Sequence, residues 1–215
     1  MTMHEYSSDT SDRKLAVWII AVIAVMIAYL YQLTASCLNF NLPWWVESPS
    51  IMLVYGIMHY FYDKRFWKLR VFGFRFSYIP DCSGTWYGEI ESTFPGGSKI
   101  YGMLQIYQTW SKISIRLKTT TSESFSRMAS LNIGPGPSQG LVYEYTSDPR
   151  ANTAETMHSH RGFTFLKIST DGKWLDGDYY TGRDRSNQGT MRFRLVSQEI
   201  IDLTQAQDNY KRMKN

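Results

Sequence analysis

Cysteine is scarce in this sequence, with two residues among 215. Cys37 and Cys82 could form at most one disulfide, which excludes a small secreted scaffold held together by several bridges. Hydrophobic residues make up 43% of the chain and aromatic residues 15%, enough apolar surface to offset the entropy lost on folding. We therefore expect one or two small domains, stabilised by a packed core.

Motifs of the common enzyme classes are also missing: there is no Walker loop, paired CxxC, HExxH or nucleophile elbow. His158 and His160 could share a strand face, but no third metal ligand stands near them, and a surface pair is the more common arrangement. Asp176 and Asp178 alternate with residues that point inward, so both face solvent in like environments, unlike a catalytic carboxylate pair. We predict no enzyme, no catalytic residues, no metal site and no cofactor.

Charge is absent from residues 15–33, which read LAVWIIAVIAVMIAYLYQL. As a helix this stretch would span about 28 Å, close to the hydrocarbon core of a bilayer at about 30 Å. A secretory signal would have a shorter apolar region ending in small residues, whereas Tyr29, Tyr31 and Gln32 are typical of an interfacial anchor. The stretch predicts a retained membrane helix.

A second apolar stretch covers residues 42–62 and is interrupted by Glu47 and Pro49. Aromatic residues typical of membrane interfaces stand near its ends: Trp44, Trp45, Tyr60 and Tyr62. With the first helix it would form a two-transmembrane hairpin over residues 15–62. A helix lying on the membrane is the alternative.

Lys and Arg flank the predicted hairpin but are absent from the turn at residues 34–50. Because cations resist translocation, both ends of the hairpin are expected in the cytoplasm. Residues 1–14 would then be a cytoplasmic N-terminus and residues 63–80 a basic juxtamembrane linker. Much of the net charge of +4 comes from this linker, so it indicates topology and anionic headgroups rather than a DNA or RNA partner.

From Gly84 onward, apolar and polar residues alternate, as in strands with one buried face. Short connections favour antiparallel neighbours, so residues 81–199 are predicted to form a small eight-stranded antiparallel up-and-down β-barrel; a two-sheet sandwich is the alternative. Residues 149–159 would be a lid loop, and residues 200–215 a tail that forms a short helix or frays. The predicted strands are residues 85–92, 99–109, 112–119, 124–133, 140–146, 160–169, 173–181 and 189–197.

The same alternation predicts which side chains point into the barrel. Arg127 lies on the inward parity of its strand, and a buried arginine needs an anionic partner. That partner is either an internal carboxylate or an anionic ligand. If the strand register is shifted, Arg127 would point outward and would need no such partner. Thr181, Arg183 and Arg185 follow at the predicted rim. Aromatic residues share the inward parity: Trp86, Tyr143, Tyr145 and Tyr179.

Several short motifs accompany this layout. Gly84-Thr85-Trp86-x-Gly88 stands on the first strand, and Leu175-x-Gly177-x-Tyr179-x-x-x-Arg183 is followed by Gly189-x-Met191 near the end. Together with the membrane hairpin, they resemble the two-transmembrane β-barrel effectors of bacterial antiphage systems that signal with cyclic oligonucleotides (CBASS). Trp-x-Gly and Gly-x-Tyr also occur in unrelated barrels, so the resemblance depends on the combination of hairpin and barrel.

The resemblance implies that the barrel binds a cyclic dinucleotide from a cognate nucleotide cyclase. It further implies a multi-pass protein of the bacterial inner membrane that self-associates on ligand binding, disrupts the bilayer and kills the infected cell. A lipocalin-like barrel for an apolar ligand and a ligand-free interaction module are the alternatives. The predicted ligand-binding residues, taken mainly from inward parity, are Trp86, Arg127, Tyr143, Tyr145, Tyr179, Thr181 and Arg183.

Overall fold

The computed structural model describes residues 2–37, 44–71, 73–93, 99–134, 139–149, 159–182 and 187–214. The chain divides into two compact units, one comprising Met1–Asp9 and Pro80–Asn215 and the other Thr10–Ile79. The first holds the β-barrel and the second the long apolar helices. Besides a 3-10 turn at Phe66–Lys68, the elements are β1 (His4–Glu5), β2 (Ser7–Ser8), α1 (Asp12–Cys37), α2 (Trp44–Lys64), β3 (Arg70–Val71), β4 (Phe74–Arg75), β5 (Gly84–Ser92), β6 (Ile100–Gln108), β7 (Lys112–Lys118), β8 (Ser122–Asn132), β9 (Gly140–Pro149), β10 (His160–Ile168), β11 (Trp174–Thr181), β12 (Gln188–Ser197) and α3 (Leu203–Lys214).

In the helical unit, α1 and α2 pack against each other. Large apolar side chains on α1 are nevertheless exposed, with Trp18 at 72% of its full surface. Among the helices of the described ranges, only α1 is long and apolar enough to cross a membrane, by length and composition. A second span in α2 stays a prediction.

The barrel is an eight-stranded antiparallel up-and-down barrel, as predicted, and the sandwich alternative is wrong. Each strand from β5 to β12 pairs with the next one along the chain, and β12 pairs with β5 to close the wall. The strands adopt this order because short turns connect alternating sequences, each with one apolar face. One such turn contains Gly172 at φ 66°, a conformation that favours glycine.

The compact barrel unit extends beyond residues 81–199. On the outside, α3 covers β5, β6 and β12 through a cluster of buried residues, so the predicted tail is a docked helix. At the other end of the chain, β1 pairs with β7 and β2 pairs with β8. This places the first residues in the barrel unit rather than in a separate N-terminus. The buried cluster under α3 comprises Tyr87, Met103, Val196 and Ala206.

Candidate functional site

The connections between consecutive strands lie at two opposite ends of the barrel. Because neighbouring strands run in opposite directions, the β5–β6, β7–β8, β9–β10 and β11–β12 connections share one end, here called the loop end. Chain segments at this end, residues 94–98, 150–158 and 183–186, lie outside the described residues. The predicted lid at residues 149–159 falls largely among them and stays a prediction. The opposite end is here called the packed end.

Apolar side chains fill the packed end. Trp86, near the start of β5, is 1% exposed, and its indole N–H donates to the Cys82 carbonyl oxygen at 3.0 Å. The inward orientation predicted for Trp86 is confirmed, but its place is in this core rather than beside the tyrosines of the loop end. Its fully or almost fully buried neighbours at this end are Ile106, Ile113, Leu131, Leu141, Leu166, Leu175 and Phe193.

Three inward tyrosines lie toward the loop end. Tyr143 and Tyr145 alternate on β9, with ring centroids 6.2 Å apart, and Tyr179 lies on β11. All three are buried, which confirms the predicted inward parity. The strand register places Thr164 of β10 between Tyr143 and Tyr179. The half of the barrel nearest the loop end, here called the loop half, therefore combines aromatic rings with hydroxyl groups.

Glycines on the neighbouring strands make room for these rings. A Cβ atom on Gly162 would lie 2.3 Å from the Tyr145 ring, and one on Gly189 would lie 2.6 Å from the Tyr179 ring. Real Cβ atoms do not approach other atoms so closely, so each tyrosine lies over a position that only glycine can occupy. The positions of Tyr145 and Tyr179 are thereby defined by their neighbours.

Burial perturbs the polar groups among these tyrosines. It raises the pKa of the Tyr143 phenol to about 12, and the approach of the Thr164 hydroxyl offsets part of that rise. Thr164 is fully buried, yet within the described ranges its hydroxyl oxygen has no partner that meets hydrogen-bond geometry. Since buried polar groups normally have partners, this inward hydroxyl is suited to contact a bound molecule.

Threonines fix the ends of the β11–β12 connection. The Thr181 hydroxyl accepts the Asn187 N–H at 2.8 Å and donates to the Asn187 carbonyl oxygen at 3.0 Å. The Thr93 hydroxyl donates to the Gln188 carbonyl oxygen at 2.8 Å. Arg183 lies within this connection, outside the described residues, so its predicted role stays a prediction.

The inward orientation predicted for Arg127 is wrong. The register between β8 and β9 shifts between Ser126 and Met128, which makes Arg127 the extra residue of a β-bulge. Its side chain is exposed. Simple alternation from Leu131 would place Phe125 inside the barrel. Because the bulge reverses which positions face inward, Ser124 is buried instead and Phe125 is exposed.

Residues missed by the sequence-based prediction lie near the tyrosines. Ser124 and Ser147 are buried, and the His160 ring meets the Tyr145 ring edge-on with centroids 6.4 Å apart. Serines at alternate positions of β8 indicate that these positions face inward, but the apolar Phe125 favours the opposite assignment, with Phe125 inside. Small polar side chains therefore contribute to the loop half of the barrel along with the rings.

Cations of the described strands lie on the outer face of the barrel. Arg116 pairs with Glu123, while Arg192 and Arg194 stack on the outward Trp174 ring, with centroid distances of 4.9 and 5.5 Å. An anion at the loop end would therefore need cations from its connections. Within the part of the chain that the structure describes, no three His, Cys, Asp or Glu side chains converge as a metal site.

Comparisons with known proteins point to this barrel. The family model described as Cap15, cyclic dinucleotide receptor domain, matches residues 77–195. CD-NTase-associated protein 15 from Yersinia aleksiciae is 33% identical over 143 residues, 66% of this chain and 68% of the relative. The protein of the same name from Escherichia albertii is 28% identical over 90 residues, 41% of this chain and 46% of the relative. The family model spans β5 to β11 and most of β12.

Proposed function

Because the chain belongs to the Cap15 family of cyclic dinucleotide receptors, we propose that its barrel binds a cyclic dinucleotide at the loop end. The main support for this proposal is the match of residues 77–195 to the family model of the receptor domain. The loop half of the barrel supports the location, since it combines inward tyrosines, buried hydroxyls and a Thr164 hydroxyl without a geometric partner.

The ligand has two bases and two phosphates, and the loop end offers groups for both. Bases stack on aromatic rings, here those of Tyr143, Tyr145 and Tyr179. Hydroxyls such as that of Thr164 hydrogen-bond to base edges or sugars. The phosphates meet cations from the connections at the loop end, which contain Arg150, Arg183 and Arg185 in the sequence.

Trp86 and Arg127 do not contact the ligand in this proposal. Trp86 belongs to the packed end, where it stabilises the barrel, and Arg127 lies on the outer face of β8. Thr181 acts by fixing the end of the connection that contains Arg183. The protein acts by binding rather than by catalysis.

The membrane part of the proposal concerns the two helices. They form a hairpin in the inner membrane with the barrel and both termini in the cytoplasm, in keeping with the flanking cations and the exposed apolar surface of α1. Ligand binding promotes self-association, and the assembled helices disrupt the bilayer and kill the infected cell. Ligand can drive this assembly only if it binds the assembled state more tightly.

Binding is tested on the full chain in detergent micelles, with a panel of cyclic dinucleotides made from adenine, guanine, cytosine and uracil. One base stacked on an aromatic ring contributes about 1–3 kcal/mol, so Tyr145→Ala should weaken binding roughly 5- to 150-fold. Tyr101→Ala is the matched control, because Tyr101 is an exposed tyrosine of the outer face. Isothermal titration calorimetry measures both.

Failure of every cyclic dinucleotide to bind the wild-type chain would contradict the proposal, and saturable binding of a fatty acid instead would favour the lipocalin-like alternative. Arg183→Ala should weaken binding more than Arg192→Ala, since Arg192 stacks on the outward Trp174 ring. In liposomes that contain the full chain, the bound cyclic dinucleotide should release a trapped dye. Unchanged dye retention would remove the membrane step.

A further inference from the structure

The barrel wall is incomplete between β7 and β8. These strands pair directly only where Arg116, Leu117 and Lys118 face Phe125, Ser124 and Glu123. Toward the packed end this direct pairing stops at Arg116 and Phe125, two residues before the bulge at Arg127. This gap, here called the seam, leaves backbone groups of both strands without each other as partners, and such groups need other partners when they are not in water.

The N-terminal segment, residues 4–9, lies in the seam. Its first half pairs with β7 in antiparallel register, His4 with Ile113. Its second half pairs with β8 in parallel register, Ser8 with Leu131. The segment thus contacts both edges of the seam, although it precedes residues 77–195, the range of the receptor domain.

A side-chain relay joins the segment to both strands. The Ile115 N–H donates to the Ser126 hydroxyl oxygen at 2.9 Å, which replaces the carbonyl that a direct partner strand would supply. The Ser126 hydroxyl lies 2.8 Å from His4 Nε2, and His4 Nδ1 lies 2.9 Å from the Glu5 carbonyl oxygen. The Ser126 hydroxyl thus links the Ile115 amide of β7 to the His4 ring of the segment.

Two further anchors hold the segment. Tyr6 is buried, and its hydroxyl donates to the Thr109 carbonyl oxygen at 3.2 Å and accepts from Gln108 Nε2 at 3.3 Å. The Asp9 carboxylate accepts the Ile133 and Gly134 N–H groups at 2.7 and 2.8 Å. These contacts tie the segment to the turns that follow β6 and β8.

Gln108 also holds the second connection to the helical unit. Its Nε2 donates to the Pro80 carbonyl oxygen at 3.1 Å, and its Oε1 accepts the Cys82 N–H at 2.8 Å. Pro80 begins the part of the chain that returns from the helices, and Asp9 ends the part that leads to them. One buried glutamine therefore contacts both Tyr6 of the outgoing chain and the returning chain.

The segment is close in the wall to the proposed ligand site. Ser126, which meets His4, pairs across β8 and β9 with Tyr145. In the other direction α1 begins at Asp12, three residues after Asp9. The route from Tyr145 through Ser126 and the segment to the first membrane helix is short and consists of hydrogen bonds and backbone.

We propose that residues 4–9 are a coupling strand, which holds the β8 wall beside Tyr145 in its ligand-binding position and connects that wall to α1. Docking of the strand and binding of ligand strengthen each other, because a closed wall is already shaped for the ligand. By linkage, the factor by which docking raises affinity equals the factor by which ligand favours docking. The identity of the ligand rests on the proposed function above.

The wall is tested first without ligand, by hydrogen exchange of the full chain in detergent micelles. Asp9→Ala should speed exchange at Ile133 and Gly134 and also at Ile115 and Tyr145. Asp171→Ala is the matched control, since Asp171 is an exposed carboxylate that accepts an N–H, that of Lys173, in the β10–β11 turn. It should speed exchange only in that turn, and Asp9→Asn, which keeps one acceptor oxygen, should have a smaller effect than Asp9→Ala. Faster exchange confined to Ile133 and Gly134 would overturn the proposal.

The second arm adds the panel of cyclic dinucleotides to the same variants. Asp9→Ala should bind at least about five-fold more weakly than wild type, with Asp171→Ala unchanged, and ligand should slow exchange of residues 4–9 in the wild type. Equal affinities of Asp9→Ala and wild type would overturn the coupling. If no cyclic dinucleotide binds the wild type, the proposed function fails, and the ligand-free exchange alone decides whether the segment holds the wall.

Discussion

The two ends of the barrel differ in the side chains that the same strands place inside. At the packed end, apolar side chains such as Trp86, Leu166 and Phe193 are almost completely buried. Toward the loop end the inward residues include tyrosines, small hydroxyl residues and glycines beside apolar residues such as Ile90 and Met191, and the β9–β10 connection is the longest between barrel strands. The packed end therefore stabilises the barrel, while the loop end presents groups that can recognise a polar, aromatic ligand.

The loop end contains buried polar groups, and these affect the stability of the barrel. A Thr164 hydroxyl without a geometric partner reduces stability, and the packed end offsets that cost. Substitutions at the two ends should consequently separate folding from binding. All measurements of this separation use the full chain in detergent micelles.

The largest effect is expected at the packed end. Trp86→Ala removes a buried indole and leaves a cavity, which should lower the free energy of unfolding by about 3–5 kcal/mol. Chemical denaturation followed by far-UV circular dichroism measures the change. Ligand affinity of the fraction that remains folded should change little, because Trp86 is remote from the tyrosines along the strands.

Trp174→Ala is the control for this prediction. Trp174 lies on the outer face, where it stacks with Arg192 and Arg194, and cation–π contacts of this kind contribute about 0.5–1 kcal/mol each. Its loss should therefore cost clearly less than that of Trp86. Equal destabilisation by the two substitutions would contradict the assignment of Trp86 to the core.

The same contrast shows what the sequence could predict. Alternation and turn residues define all eight strands to within a few residues, and the inward side of β9 and β11 follows from it, because these strands are regular. Alternation fails on β8, where the bulge at Arg127 reverses the inward side. A bulge has no strong sequence signal, since many residue types occupy it.

The seam illustrates a second limit. Residues 4–9 contain too few apolar residues for a strand prediction, and their pairing depends on contacts with residues more than 100 positions away, such as Ser126 and Thr109. Local patterns cannot report such contacts. The family resemblance likewise predicts the ligand class but not which arginine or tyrosine meets it.

An intermediate effect is expected from filling a glycine at the loop end. In Gly162→Ala the new Cβ would lie 2.3 Å from the Tyr145 ring and 2.6 Å from the Tyr180 carbonyl oxygen. The ring and strand must shift, which should cost about 1–3 kcal/mol of stability and, by moving Tyr145, at least about ten-fold in ligand affinity. Denaturation and calorimetry measure the two losses.

Gly182→Ala is the matched control beside the same opening. A Cβ there would meet only the Arg161 carbonyl oxygen, at 3.3 Å, so its effect on stability and affinity should be small. Wild-type affinity in Gly162→Ala would show that Tyr145 does not contact the ligand. It would also contradict the assignment of ligand binding to the loop end.

The smallest effect at neutral pH is expected from Tyr143→Phe, and it should grow only in alkali. Burial raises the pKa of Tyr143 to about 12, above the value near 10 of an exposed phenol, so the folded state favours the protonated group. Stability from this group is complete below about pH 10 and is lost as the pH rises toward 12. The wild type should therefore lose about 1–2 kcal/mol relative to Tyr143→Phe between about pH 9 and 11.5. A difference in the free energy of unfolding between the two proteins that stays constant over that pH range would show that Tyr143 is accessible to water. The loop end would then be an open vestibule rather than a closed layer of rings.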